Sequence, residues 1–410
     1  MKAILHHTTL PKKTFEVQIT GSKSESNRLL ILKALYPNIT IENLSESDDT
    51  KYLQKALNSK EKEVDIHHAG TAMRFLTAYF ACKENSEVIL TGSERMQERP
   101  IGILVEALRQ MGADIQYEKN DGYPPLKIRG KKLTQNKVSI AATTSSQFIS
   151  ALMLIAPSLP NGLTIQLEGK ITSVPYINMT LALMQQLGIE GNFSENNIYI
   201  PNKKSIENQT VVVESDWSSA SYFYSIVALS KATEIVLKSY RKQSLQGDAA
   251  LSTIYTSLGV ETEFFPKENA IKLSKSKIEV PNKVNFNLVN TPDIAQTIAV
   301  TCFGLGTDCE LQGLHTLKIK ETDRLTALKV ELEKLGAYLE INEASLKLTS
   351  SNTIFKNVSI NTYNDHRMAM AFAPLALKTS LQINDCEVVS KSYPTFWEDL
   401  KSVGFSIDFQ

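Results

Sequence analysis

Apolar runs of helical length recur along this chain, opened by Ser, Thr, Gly or Asp and closed by glycine. Openings fall at Ser22, Gly70, Ser145, Asp216, Thr291 and Asp365, and Phe148 to Ile155 shows the kind of run that follows. Such residues satisfy the free N–H groups of a first helical turn, so each opening predicts the start of a buried helix. Glycines close apolar segments at Leu108 to Gly112, Leu187-Gly188, Leu258-Gly259, Leu335-Gly336 and Val403-Gly404, and they stand 76, 71, 77 and 68 residues apart. Glycine takes the left-handed conformation that ends a helix without Cβ strain. Between the helices, β-branched runs at Val211 to Val213, Glu234 to Leu237 and Asn384 to Val389 predict strands. A spacing of this length marks a duplicated supersecondary unit. Six units of two helices and several strands are expected, three before residue 214 and three after.

Length supports two halves, because 410 residues exceed one ordinary core. Charge narrows the function. With 44 basic and 44 acidic residues the chain has no net charge, which excludes a general binder of nucleic acid or acidic membrane. Cys82, Cys302, Cys309 and Cys386 show no CxxC or Cys/His ligand spacing, so no metal site or disulfide framework is expected and the thiols are read as reduced. Met1 to Lys13 contains no secretory apolar core and no run reaches membrane-spanning length, so a soluble cytoplasmic protein is expected.

Positive charge must then act locally, and it gathers at helix openings. Lys320-Glu321-Thr322-Asp323-Arg324 precedes the amphipathic run Leu325 to Leu335; its two cations, four residues apart, would share one face of a helix start beside Glu321. Lys23, Arg28, Arg74, Arg99, Arg367 and Lys391 lie at or near other openings. A cation there opposes the helix dipole by roughly 0.3–1 kcal/mol. An anionic ligand would reverse that penalty, and arginine forks suit carboxylate or phosphate. The plainer reading, that polar openings merely cap their helices, suffices for Ser218, Ser219 and Thr291 but not for the cations.

Six motifs in order carry a family resemblance: Gly21-Ser-Lys-Ser-Glu-Ser-Asn-Arg28, Ala69-Gly-Thr-Ala-Met-Arg74, Glu98-Arg-Pro-Ile101, Ser145-Ser-Gln-Phe148, Lys320-Glu-Thr-Asp-Arg-Leu325 and Tyr363-Asn-Asp-His-Arg-Met-Ala-Met370. From Gly21 to Trp397 the chain resembles the EPSP synthase family, the 3-phosphoshikimate 1-carboxyvinyltransferases of aromatic amino-acid (chorismate) biosynthesis and the target of glyphosate. The resemblance implies a two-domain inside-out α/β barrel of six βαβαββ-type units, three per domain. One domain would comprise residues 21–213 and the other residues 1–20 with 214–410, crossing near Thr20-Gly21 and Glu214 to Asp216, with the active site in the cleft between them.

It also implies transfer of the enolpyruvyl group of phosphoenolpyruvate to the 5-hydroxyl of shikimate 3-phosphate by addition and elimination, in a monomer without metal or organic cofactor. Position by position, Lys23, Ser24, Arg28, Ser145, Ser146, Gln147, Ser173, Asp293, Thr316 and Lys320 resemble the shikimate 3-phosphate contacts. Lys23, Gly70, Arg99, Gln147, Arg324, Arg367 and Lys391 resemble those to phosphoenolpyruvate. Asp293 resembles the proton acceptor, with Glu321 and Lys23 as the groups that move protons at the methylene carbon and the leaving oxygen; read without the family, Asp293 is a turn residue and His366 a capping or core imidazole. Three positions depart from the pattern: His68 and Phe75 replace a usual Asn and Pro, and Thr316 a frequent Asn. Two other readings compete. A UDP-N-acetylglucosamine enolpyruvyl transferase usually carries a reactive cysteine in the loop that here runs from Thr91 to Arg99 without one. A catalytically silent phosphometabolite binder would not need Lys23, Asp293 and Glu321.

Overall fold

The computed structural model describes residues 1–142, 145–169, 171, 174–351 and 353–410. The chain divides into two compact units, Gly21–Val213 and Met1–Thr20 with Glu214–Gln410.

In the first unit, strand Glu63–Asp65, helix Gly70–Cys82, strand Glu87–Thr91, helix Gly102–Gln110 and strands Asp114–Tyr117 and Leu126–Arg129 make one repeat. The first two strands pair in parallel, Glu63 against Ile89, because a helix carries the chain back between them. The last two form an antiparallel hairpin, with Leu126–Arg129 inserted beside Glu87–Thr91. The same order recurs from Lys137–Ala141 to Asn197–Ile200.

The second unit holds three sheets of this kind. The N-terminus supplies two of their strands: Thr14–Val17 runs parallel to Glu234–Lys238, and Lys2–Leu5 lies between Leu381–Asn384 and Ile407–Phe409.

Five four-stranded sheets are thus present among the described residues, and the sixth departs from expectation. Around helices Lys23–Leu35 and Asp48–Asn58 only Ile39–Glu42 and Gln209–Val212 pair, in parallel. Four residues separate helix Asp48–Asn58 from the first strand of the next repeat, which leaves no chain for a hairpin.

Several helices are apolar around their whole circumference and bury accordingly. Gly70–Cys82 buries every residue from Gly70 to Ala81, and Trp217–Leu229 and Ala295–Leu305 are nearly as enclosed. Sheets flank these helices with one face each, as in the alternating burial of Leu163–Glu168 and Glu234–Lys238.

The five closing glycines all adopt positive φ: Gly112 +97°, Gly188 +71°, Gly259 +79°, Gly336 +105° and Gly404 +106°. Asp216 and Asp365 cap their helices, accepting from Ser219 N–H at 2.8 Å and Arg367 N–H at 2.9 Å, and Ser145 accepts from Gln147 N–H at 3.3 Å. The expected strand Asn384 to Val389 is corrected. It lies earlier, at Leu381–Asn384, because Asp385 turns left-handed (φ 48°) and Cys386–Lys391 coils into a 3-10 helix. No helix among the described residues is long and apolar enough to cross a membrane.

Candidate active site

The site residues expected from sequence fall into two clusters, one per unit. In the unit containing Glu214–Gln410, the carboxylate of Asp323 accepts from the N–H groups of Leu325 and Thr326, both at 3.1 Å, and so starts the helix at Arg324. Lys320 therefore lies before the helix, closing a 3-10 turn with ψ −144°, and the two cations do not share a helical face. They meet through a carboxylate instead. Lys320 Nζ is 3.4 Å from Asp293 Oδ1, to which Arg324 Nη1 donates at 2.7 Å.

Arg324 is the hub. Only 1 % exposed, it also donates from Nε to Asp365 at 2.6 Å and from Nη2 to Glu321 at 2.7 Å. Burial works against its charge, but Asp365, Glu321 and Asp293 outweigh it and raise the guanidinium's proton affinity. For Asp293, burial pushes upward while Lys320, Arg367 and Arg324 together hold the carboxyl well below its usual value. In this unit the cations at the helix openings are thus met by carboxylates of the protein itself. Arg367 donates to the Asp293 carbonyl at 3.1 Å and to Ser218 Oγ at 3.3 Å.

Behind Ser218 stands Asp248, which sequence reasoning missed. It accepts from the hydroxyls of Ser218 and Thr291, the latter at 2.7 Å, so neither hydroxyl is merely a cap. Burial and the nearby Asp293 raise its carboxyl. Its one local sign was Gly247-Asp248, indistinguishable from a turn. Lys391 Nζ donates to the Asn364 carbonyl at 2.7 Å, on a turn where Tyr363 and Asn364 both take positive φ. The Thr316 hydroxyl is buried with no hydrogen-bond partner, and His366 is a core imidazole, 3 % exposed.

In the unit Gly21–Val213, Lys23 opens helix Lys23–Leu35, and the carbonyl of Ser24 accepts from Arg28 Nη1 at 2.8 Å. Arg28 also donates to Thr180 and Ser150, each at 2.8 Å, and lies 5.6 Å from the ring centres of both Phe75 and Tyr176. Burial lowers its pKa to about 10. The departure at Phe75 therefore packs against this arginine.

Gly70 lies under Arg99 so closely that a Cβ there would come within 2.5 Å of Arg99 Nη1. Arg74 donates to the Gly70 carbonyl at 2.9 Å, and burial followed by repulsion from Arg99 lowers it to about 9. The Arg74 Nε is buried and unpartnered. Gln147 donates to Thr71 Oγ1 at 3.2 Å, which joins the Ser145-Ser146-Gln147 opening to the Gly70 helix. Ser173 lies outside the described residues. Among the described residues, Lys23, Arg28, Arg74 and Arg99 make no ion pair. Nor does any group of three or more His, Cys, Asp or Glu stand ready to hold a metal.

This fold of repeated sheets over buried helices is shared with enolpyruvyl transferases of known structure. Over 99% of this chain and 98% of the other, it matches an enolpyruvyl transferase from Streptomyces tendae with a TM-score of 0.74 at 13% identity. EPSP synthase from Acinetobacter baumannii matches over the full length of both chains, with a TM-score of 0.81 at 18% identity. These two establish the shared inside-out α/β architecture. The family model described as EPSP synthase (3-phosphoshikimate 1-carboxyvinyltransferase) matches residues 52–400. A 3-phosphoshikimate 1-carboxyvinyltransferase from Bacteroides fragilis is 45% identical over 395 residues, 95% of each chain. The chain belongs to the EPSP synthase family, and the competing UDP-N-acetylglucosamine reading falls away.

Proposed function

We propose that the two clusters act on one pair of substrates, moving the enolpyruvyl group of phosphoenolpyruvate onto the 5-hydroxyl of shikimate 3-phosphate. Lys23, Ser24, Arg28, Ser145, Ser146, Gln147, Ser173, Thr316 and Lys320 are assigned to the shikimate ester. Gly70, Arg99, Arg324, Arg367 and Lys391 are assigned to phosphoenolpyruvate, with Lys23 and Gln147 touching both. The proposed protein is a cytoplasmic monomer that works without a cofactor.

The carrying observation is that Asp293 sits within 4 Å of Lys320, Arg324 and Arg367 together. With those cations in place its carboxyl is held well below its usual value, which weakens it as a proton acceptor. Phosphoenolpyruvate brings a carboxylate and a phosphate that compete for the same guanidinium groups. As Arg324 and Arg367 turn to the substrate, Asp293 loses counter-charge and gains proton affinity. Asp293 then takes the 5-hydroxyl proton as that oxygen bonds to the central carbon of phosphoenolpyruvate. Glu321 or Lys23 delivers a proton to the methylene carbon, which gives a tetrahedral ketal phosphate. In the elimination the methyl carbon returns a proton to the same group, the double bond re-forms, the carbon–oxygen bond to phosphate breaks, and the departing phosphate carries away the proton that Asp293 took, which restores both groups. Arg99, Arg324 and Lys391 balance the charge of the departing phosphate.

The test is phosphate release with both substrates present. Release that requires both shikimate 3-phosphate and phosphoenolpyruvate, and drops about 10²–10⁴-fold in Asp293→Asn, is expected. A chain that binds both and releases nothing would be a silent relative.

A further inference from the structure

Asp248 has no assigned role in the reaction, yet both of its carboxylate oxygens are engaged beside groups that do. It belongs to the 3-10 turn Gly247–Ala250, which follows strand Glu234–Lys238. An aspartate that served only this turn would spend its oxygens on the turn's own N–H groups. Asp248 spends them on other elements. Oδ2 accepts from the hydroxyl of Ser218, in the first turn of helix Trp217–Leu229, and Oδ1 accepts from the hydroxyl of Thr291 at 2.7 Å, two residues before Asp293.

The turn is anchored independently of those hydroxyls. Gln246 donates from Nε2 to the Ser215 carbonyl at 2.9 Å and accepts at Oε1 from the Trp217 N–H, also at 2.9 Å. The Gln246 N–H donates to Ser244 Oγ at 3.0 Å, and Ser244 donates in turn to the buried carboxylate of Glu214 at 2.7 Å. Asp248 is therefore fixed against the opening of helix Trp217–Leu229 and can serve as a brace.

Two routes lead from this brace to Arg367. A hydroxyl has one hydrogen, and Ser218 gives it to Asp248, so the Ser218 oxygen is left to accept from Arg367 Nη2 at 3.3 Å. Thr291 opens the turn Pro292–Ile294, where proline restricts the backbone, and the Asp293 carbonyl in that turn accepts from Arg367 Nη1 at 3.1 Å. The contacts close a ring through Asp248, Ser218, Arg367, Asp293 and Thr291. Among the described residues, Arg367 Nε is buried without a hydrogen-bond partner, so hydrogen bonds fix the guanidinium through the two amino groups that this ring holds.

The contact of Arg367 with the Asp293 carboxylate is looser, 3.8 Å from Nη2 to Oδ2, and is the one that a substrate anion would take over. That carboxylate has other ties, to Arg324 at 2.7 Å and Lys320 at 3.4 Å. Loss of Asp248 should therefore fall on Arg367 and spare the Asp293 carboxylate.

We propose that Asp248 is a positioning residue that orients the Arg367 guanidinium toward phosphoenolpyruvate through Ser218 and Thr291. The proposal rests on the assignment of Arg367 to phosphoenolpyruvate.

A double-mutant cycle in steady-state kinetics tests it, with Asp248→Ala, Arg367→Ala and the two combined. Asp248→Ala should raise KM for phosphoenolpyruvate about tenfold, with kcat and KM for shikimate 3-phosphate each within about twofold of the unaltered enzyme. In the Arg367→Ala background the same substitution should add less than about twofold, because the group it acts through is gone. Ser218→Ala deletes one hydroxyl and runs the same cycle at a single joint of the ring. It should raise KM for phosphoenolpyruvate about threefold, and Asp248→Ala should then add less than it does in the unaltered enzyme. A purely structural role would lower the melting temperature and leave KM of the folded enzyme unchanged. Unchanged KM in Asp248→Ala, or a rise that persists undiminished in the Arg367→Ala and Ser218→Ala backgrounds, overturns the inference. If Arg367→Ala itself leaves KM for phosphoenolpyruvate unchanged, the assignment of Arg367 fails; if it raises KM while Asp248→Ala does not, only the positioning role fails.

Discussion

The two clusters carry similar cations in opposite electrostatic settings. Around Arg324 every cation has a nearby acceptor inside its own unit: Asp293, Glu321 and Asp365 for Arg324, Asp293 for Lys320 and Arg367, and a carbonyl for Lys391. Around Gly70, by contrast, Arg74 and Arg99 repel each other, and Arg28 is held by hydroxyls, a carbonyl and aromatic faces. One cluster is charge-balanced within the protein. The other meets its cations with hydroxyls, carbonyls and aromatic faces, and with only the longer-range attraction of Glu25 on Arg28 and of Asp49 on Arg74. Similar motif chemistry therefore stands in two settings: carboxylates paired with cations around Arg324, and arginines that repel each other beside Gly70. In the sequence only Glu321 stands beside Lys320 and Arg324; Asp293 and Asp365 come to Arg324 through the fold.

Paired arginine substitutions break this comparison most sharply. Arg324→Ala removes the partner of three carboxylates, two of them buried or nearly so, and should destabilise the fold by about 3–5 kcal/mol. Arg99→Ala strands no carboxylate and should change stability by less than about 0.5 kcal/mol. It should nevertheless raise KM for phosphoenolpyruvate about a hundredfold, in line with the loss of a charge-assisted contact. Denaturant melts beside kinetics on both variants are the check, and equal stability losses would erase the distinction between the clusters.

Gly70→Ala gives a smaller effect on the cationic side alone. Its Cβ would meet Arg99 Nη1 at 2.5 Å, and a guanidinium at the end of a flexible side chain can move aside. The fold should tolerate the change while the pocket narrows. KM for phosphoenolpyruvate should rise only a few-fold, about 1 kcal/mol, and inhibition by glyphosate, a bulkier occupant, should weaken more. An unchanged glyphosate inhibition constant would show that Arg99 does not lie over Gly70 when ligand is bound.

The smallest effect is in acid stability, and it belongs to the balanced cluster. The Asp293 carboxyl is depressed in the folded protein, so its contribution is complete above its unfolded value of about 3.9 and is lost as pH falls through the lower folded value. Asp248 has the opposite sign, because its raised carboxyl favours the folded state as it protonates. Thermal melts from neutral to about pH 3 should therefore show Asp293→Asn less acid-sensitive, and Asp248→Asn more acid-sensitive, than the unaltered protein. Parallel curves for all three would mean that the two carboxylates do not differ in this way.

What the sequence determined by itself is what depends on neighbours a few positions away. Gly112, Gly188, Gly259, Gly336 and Gly404 end their helices left-handed because glycine pays no steric penalty there, and Asp216, Ser145 and Asp365 cap because their side chains reach an N–H two or three residues on. The repeat and most of its helices followed from such local rules, as did the family through its six ordered motifs. Only the tertiary structure decided which charges meet. Arg324 finds Asp293 31 residues away and Asp365 41 residues away, and Ser218 finds Asp248 across 30. The parallel pair Lys283–Asn287 and Asp308–Gln312 sets the turns bearing Asp293 and Arg324 at one end of their sheet, Asp365 comes from a neighbouring sheet, and no local pattern encodes either meeting. The same holds for the two-stranded sheet, where a four-residue link leaves no chain for a hairpin, and for Lys320, which Asp323 excludes from the helix by capping one residue before Arg324. Ion pairs depend on distance in space, and distance in space is fixed by how the helices and sheets pack rather than by spacing along the chain.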